Sequence, residues 1–167
     1  MHPVKINFSN EARELIALAR LEAIDLGYDF VSGNHFLLAD CLLYKHPSIK
    51  RFVFADDMAF SAYYKTQRIQ DPSVFKALDR SSLPLTKVAE AMIRTAAAEA
   101  RLYRSRCVER HHFFLASCRN KDKLFVDNQD RGLDIYPRIL AYYRSCGLVL
   151  EARQSVPLIE RIKNAFK

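Results

Sequence analysis

The chain has 167 residues, about the size of one domain, with 50% hydrophobic residues, 27% charged residues and only four glycines, which argues for a globular protein with few tight turns and against a disordered one. Its net charge of +7 suits an acidic partner, whether nucleic acid, an acidic protein surface or phosphorylated protein. No apolar run is long enough to span a bilayer and residues 1–9 lack the apolar stretch of a secretory signal, so a cytoplasmic protein is expected.

Ser9 stands as the N-cap of the first predicted helix, Glu11 lies in its first turn where a negative charge suits the helix dipole, and Gly27 closes it. Between them Ala12, Leu15, Ile16, Ala19, Ala23 and Leu26 follow the spacing of an amphipathic helix, with Arg13, Glu14, Arg20 and Asp25 on the other faces. After a short linker a second helix is predicted from His35 to about Tyr44. Phe52 to Ile69, with Phe54, Phe60, Tyr63 and Tyr64, predicts one further helix, and Asp71-Pro72 and Ser81-Ser82-Leu83-Pro84 read as turns or linkers. Thr86 caps the next amphipathic helix, built on Ala89, Met92, Ile93, Ala96, Ala100 and Tyr103, with Arg104 where the first helix has its terminal glycine. His112 to about Asn120 follows. Pro137 fits the first turn of a helix that runs to Ser145 and ends at Gly147, and Ser155-Val156-Pro157 opens a last helix through Leu158, Ile159, Ile162 and Phe166. No segment alternates with a strand period, so the expected fold is all-α with about eight helices.

The order is doubled. Residues 8–41 align without a gap to residues 85–118, with identity at Ala12/Ala89, Ile16/Ile93, Ala19/Ala96, Glu22/Glu99, Ala23/Ala100, Val31/Val108, His35/His112, Phe36/Phe113, Leu38/Leu115, Ala39/Ala116 and Cys41/Cys118. A solenoid unit usually has roughly 20 to 50 residues, shorter than this offset. Two helical copies, about 8–80 and about 85–167, are therefore expected to pack around a pseudo-two-fold axis within a single domain, 1–167. Ala19, Ala23, Ala96 and Ala100 would let the copies approach closely.

The chain has no GxxxxGK[ST], no glycine-rich phosphate loop and no GxSxG, so no enzymatic activity and no cofactor are expected. Cys41, Cys107, Cys118 and Cys146 lie far apart without a CxxC and read as small core hydrophobes of a reducing compartment. His111 and His112 diverge by about 100° on a helix, and Cys118 lies almost two turns beyond His112, which is poor geometry for zinc; no metal is expected. His35 and His112 hold the same position before apolar runs, which suits a helix-start or core hydrogen-bonding role. Arg101, Arg104, Arg106, Arg110 and Arg119, with Lys121 and Lys123, form a possible basic surface. It reads either as complement to a helix dipole or as the surface of a small nucleic-acid-associated regulator.

Phe8-Ser9-Asn10-Glu11-Ala12, then Ala19-Arg20-Leu21-Glu22-Ala23 and Leu26-Gly27-Tyr28, then Val31-Ser32-Gly33-Asn34-His35-Phe36-Leu37-Leu38, closely resembles the N-terminal domain of Clp-type AAA+ unfoldases. That pattern is F-T-x-x-A, a helix with E-A and L-G-H, then V/I-G-T-E-H-I/L-L-L. Leu85-Thr86-Lys87-Val88-Ala89, Glu99-Ala100 and Val108 followed by His112-Phe113-Phe114-Leu115 match its second copy. The resemblance covers nearly the whole chain. It implies an eight-helix, pseudo-symmetric, non-enzymatic interaction module that binds a Clp unfoldase or protease, its adaptor or a substrate segment. With no ATPase module following, it implies a free-standing protein comparable to the N-domain-like accessory proteins of some Clp proteases.

In the subgroup that binds phosphoarginine, the T-E-H glutamate of each copy receives the guanidinium, while a helix start and its hydroxyl residue hold the phosphate. The resemblance places that groove at Ser9, Asn34, Thr86 and His111: the hydroxyls persist, but Asn34 and His111 replace the glutamates, and Gly33 and Arg110 replace the threonines. Neither Asn nor His supplies the carboxylate, so selectivity for phosphoarginine is expected to be lost.

Overall fold

The computed structural model describes residues 7–43, 49–69, 83–120 and 135–149; the turn signals at 71–72 and 81–82 and the last predicted helix lie outside the described residues. Among the described residues there are seven helices and no strand: α1 (Asn10–Asp25), α2 (Gly33–Leu43), α3 (Lys50–Val53), α4 (Asp57–Thr66), α5 (Lys87–Leu102), α6 (Arg110–Arg119) and α7 (Ile135–Ser145).

The long helices begin and end alike. Ser9 Oγ accepts from the Ala12 N–H and Thr86 Oγ1 from the Ala89 N–H, both at 3.1 Å, so each hydroxyl satisfies one of the donors a helix start leaves open. At the other end Gly27 N–H donates to Ile24 O and Tyr28 N–H to Ala23 O; Arg104 N–H and Ser105 N–H repeat this with Arg101 O and Ala100 O. This paired closure needs a left-handed residue, which is Gly27 at φ 88° in the first copy and Arg104 at φ 57° in the second. The turn geometry has survived the loss of its glycine.

The second helix of each copy starts two residues before its histidine. His35 Nδ1 accepts from the Ser32 N–H at 3.0 Å and His112 Nδ1 from the Glu109 N–H at 2.8 Å. Each imidazole reaches back from the third helical position to the cap residue, the task a glutamate performs in a capping box. The single helix expected over 52–69 is two, because Asp56 Oδ1 accepts from the Ala59 N–H at 2.7 Å and caps a new start for α4.

The two copies are joined reciprocally. Phe8 pairs with Val108 and Leu85 with Val31 in two isolated parallel bridges, and each residue of one bridge is the repeat equivalent of a residue in the other. Ser9 N–H donates to Val108 O and Thr86 N–H to Val31 O, both at 3.0 Å; Val108 N–H donates to Asn7 O and Val31 N–H to Pro84 O, both at 2.8 Å. Phe36 stacks on its own equivalent Phe113, with centroids 5.6 Å apart and planes 15° apart, which puts the pseudo-two-fold axis between them. One hydrophobic cluster draws on both copies, including Leu15, Ala19, Phe36 and Leu38 from the first and Met92, Ala96, Phe113 and Leu115 from the second. Ile16 and Ile93 are only partly buried at its edge. The closest helix packing lies within a copy, α1 on α2 and α5 on α6, so the alanines of the long helices serve that approach more than contact between copies. Of the cysteines, the equivalent Cys41 and Cys118 are buried as expected, whereas Cys107 is half-buried and Cys146 exposed; all four are free.

Candidate functional site

The crossed bridges decide which of the four expected groove residues share a seam. Ser9 is fastened beside Val108, two residues before α6 and three before His111, while Thr86 is fastened beside Val31, three residues before Asn34. Each seam thus brings the capping hydroxyl of one copy toward the residue of the other copy, His111 or Asn34, where the resemblance expects a glutamate. Reading the pattern copy by copy conceals this exchange.

Both former glutamate positions are engaged inside the protein. Asn34 Nδ2 donates to Gln67 Oε1 at 2.9 Å and Asn34 Oδ1 accepts from the Tyr63 hydroxyl at 3.2 Å, tying the start of α2 to the end of α4. His111 is 6% exposed and its ring packs on His112 and Tyr143, with centroids 4.1 and 5.4 Å away. Burial, reinforced by neighbouring His112 and Arg110, pushes the His111 pKa down to about 3, so it is neutral near pH 7. Burial likewise lowers His35 and His112 to about 4. Since Nδ1 of His112 accepts from a backbone N–H, its proton resides on Nε2. His111 Nε2, His112 Nε2 and the Tyr143 hydroxyl are buried without a hydrogen-bond partner among the described residues.

Arg110 is not part of a basic surface. Its side chain is 6% exposed, its Nη1 donates to Asp40 Oδ1, and its Nε lies 3.7 Å from Glu11 Oε2. Asp40 is fully buried in α2, and its other oxygen accepts from the Ile49 N–H at 3.0 Å. A cation at the first turn of α6 opposes the helix dipole, and Asp40 and Glu11 supply the compensating charge. Arg119 is also drawn away from the surface reading: it pairs with buried Glu99, and its guanidinium lies 4.8 Å from the Tyr136 ring centroid. Tyr136 donates to Glu99 Oε2 at 2.8 Å and shares a 2.8 Å hydroxyl contact with Tyr103. In the first copy Glu22 accepts from Tyr64 at 2.9 Å, so the glutamate of the repeated E-A pair clasps a tyrosine in both copies. Arg101, Arg104 and Arg106 remain exposed; Lys121 and Lys123 lie outside the described residues.

Asp40 is the residue that sequence reasoning missed. Its signal was present as the one carboxylate within the apolar run of α2, since a charge at a buried position requires a partner. Among the described residues no group of three or more His, Cys, Asp or Glu side chains is placed to hold a metal ion, and no helix is long and apolar enough to cross a membrane. An open depression of about 590 Å³, lined by residues including Asp25, Gly27, Lys65 and Arg68, shares no residue with the four groove positions.

The architecture has close counterparts among solved structures. The N-terminal domain of the caseinolytic protease associated chaperone ClpD from Arabidopsis thaliana superposes with a TM-score of 0.59 at 16% identity, over 86% of this chain and 98% of that one. The Hsp104 N-terminal domain from Candida albicans does so with a TM-score of 0.59 at 15% identity, over 89% of this chain and 97% of its own. This is the Clp N-domain fold. No protein-family model matches the chain, and no curated protein sequence does. Within that fold Asn34 and His111, the two positions where the sequence pattern expects glutamate, are both engaged in internal contacts.

Proposed function

We propose that the chain is a non-enzymatic protein-interaction module that docks onto a Clp unfoldase or protease, onto one of its adaptors, or onto a substrate segment. The observation that carries this reading is the structural likeness to two Clp N-domains over nearly their whole length, one of them from a protease-associated chaperone. The doubled arrangement supports treating residues 1–167 as one unit with its copies at about 8–80 and 85–167, because the N–H of each cap residue, Ser9 and Thr86, donates to a carbonyl of the other copy. Recognition in this module does not centre on a guanidinium: Asn34 is held by Tyr63 and Gln67, and neutral His111 is buried. The nucleic-acid alternative loses support with Arg110 buried and Arg119 paired.

The test is capture of the tagged protein from its own cells at native abundance, followed by identification of what co-purifies. A Clp ATPase, protease subunit or Clp adaptor enriched over a tag-only control is the expected result. Recovery of nucleic acid without any Clp component, or ATP turnover abolished by a substitution in this chain, would overturn the reading.

A further inference from the structure

The repeat allows the outer faces of α1 and α5 to be compared position by position. Residues 10–29 carry five acidic and two basic side chains, net −3, whereas the equivalent residues 87–106 carry five basic and two acidic, net +3. Glu11, Glu14 and Asp25 are exposed on the first face; Lys87, Arg94, Arg101, Arg104 and Arg106 are exposed on the second. Two equivalent segments of one fold, each a long helix with the turn after it, therefore carry opposite net charge.

Arg94 meets Glu90 of its own helix at a long 3.7 Å, and Arg101, Arg104 and Arg106 form no ion pair among the described residues. The helix dipole accounts for a cation such as Arg101 in the last turn. It does not account for the left-handed backbone of Arg104. That residue occupies the left-handed position held by Gly27 in the first copy, at a cost of roughly 1–2 kcal/mol for an L side chain, and its exposed side chain makes no hydrogen bond or ion pair among the described residues. Strain retained under an unpaired, exposed charge is a mark of a functional position.

We infer that Arg94, Arg101, Arg104 and Arg106, along the C-terminal half of α5 and the turn after it, form a docking surface for an acidic polypeptide segment; this rests on the interaction-module reading above. The equivalent α1 face is acidic and repels such a segment, so the two-copy fold binds it in one orientation. The patch is compact, with Arg94 and Arg101 about 10 Å apart along the helix axis. Exposed Glu90 flanks it, and it is small beside the roughly 6 to 10 phosphate contacts behind steeply salt-dependent duplex binding. Nor does it offer a platform for bases: Tyr103 is 3% exposed and its hydroxyl is held by Tyr136. A protein segment with several carboxylates matches its size and charge.

Fluorescence anisotropy of the full chain with a labelled peptide of repeated Glu-Gly-Ser units, beside a Gln-Gly-Ser counterpart, tests the inference. The acidic peptide should bind and the neutral one should not. The combined variant Arg101→Ala, Arg104→Gly, Arg106→Ala should weaken binding at least about tenfold, while the charge-matched variant Arg13→Ala, Lys65→Ala, Arg68→Ala should bind as the parent does. Absence of acidic-peptide binding, or equal loss in both variants, overturns the inference. So does duplex DNA binding more tightly than the peptide with the same variant sensitivity, or salt-sensitive self-association that the α5 variant abolishes, which would make the occupant the α1 face of a second copy. Capture of a Clp component that survives the α5 variant overturns this inference alone; failure of the parent chain to capture one overturns the broader reading, whatever the peptide does.

Discussion

Asp40, in the middle of α2, and Arg110, in the first turn of α6, form a buried ion pair that bridges the two copies. It breaks the internal symmetry. The equivalent of Asp40 is Ser117, which donates to Met92 Sδ at 2.8 Å, and the equivalent of Arg110 is Gly33, which has no side chain to offer. One charged clasp thus holds one of the two crossed seams, and its twin is uncharged.

Removing one partner leaves the other charged and buried. Asp40→Ala should therefore destabilise the fold by about 3–5 kcal/mol, whereas Asp40→Leu combined with Arg110→Met should recover most of the loss. Urea unfolding of the single and double variants measures both. A double variant no better than the single would show that the site requires the charges themselves.

The left-handed turn after α5 offers a gain. Arg104→Gly should stabilise the chain by up to about 1 kcal/mol, while Gly27→Ala should cost about as much, since each substitution changes the fit of a residue to a positive φ. Thermal melts read the direction of each. A destabilised Arg104→Gly variant would mean that the arginine side chain supports the fold.

Stability should fall on acidification through three histidines. Unfolded, each titrates near 6.5; folded, His35 and His112 titrate near 4 and His111 near 3, so the unfolded chain binds the extra protons first. Their contribution is complete above about pH 6.5 and is lost as pH falls toward the folded values, by about 1.4 kcal/mol per pH unit for each histidine. Urea midpoints taken from neutral pH down to about pH 5 should decline accordingly, and His111→Phe should flatten the slope by one proton. An unchanged slope in that variant would show that His111 is protonated in the folded chain.

Phosphoarginine should bind no better than phosphoserine, because neither Asn34 nor His111 offers a carboxylate for the guanidinium. Asn34→Glu should favour phosphoarginine selectively, and that gain should depend on Thr86 across the seam rather than on Ser9. Calorimetric titration of the combined variants distinguishes the two. Ser9→Ala and Thr86→Ala should each cost about 1 kcal/mol of stability with no ligand present, since both hydroxyls already cap helices.

What the sequence disclosed and what it hid divide along a physical line. Helix period, cap residues and the repeat are local or self-similar, so α1, α5, the axis and the role of His35 and His112 at helix starts could all be read. Asp40 and Arg110 are 70 residues apart and neither has a chemically matching counterpart in the other copy, so periodicity held no trace of their pairing. Arg110 looked like a surface cation because six other basic residues lie near it in the chain; its burial follows from where the start of α6 meets Asp40 of α2 and Glu11 of α1. The break before α4 was legible in principle, since Asp56 is a good cap, but the aromatic run on both sides of it suggested continuity. The crossed seams were beyond reach, because an alignment of two copies shows what is equivalent without showing which equivalent touches which.

Those seams also govern how the chain is made. Phe8 and Ser9 leave the ribosome well before the strand-like partner of that segment, Val108, which is synthesised about a hundred residues later. Until then the start of α1 has neither its backbone acceptor nor the cover of Phe113, which stands 6.4 Å from Phe8 in the finished fold. The nascent first copy is thus an unfinished half with an adhesive edge, and a neighbouring nascent chain carrying its own Val108 could seal it instead. Vectorial synthesis makes such strand exchange a hazard, and rapid elongation through the second copy the safeguard.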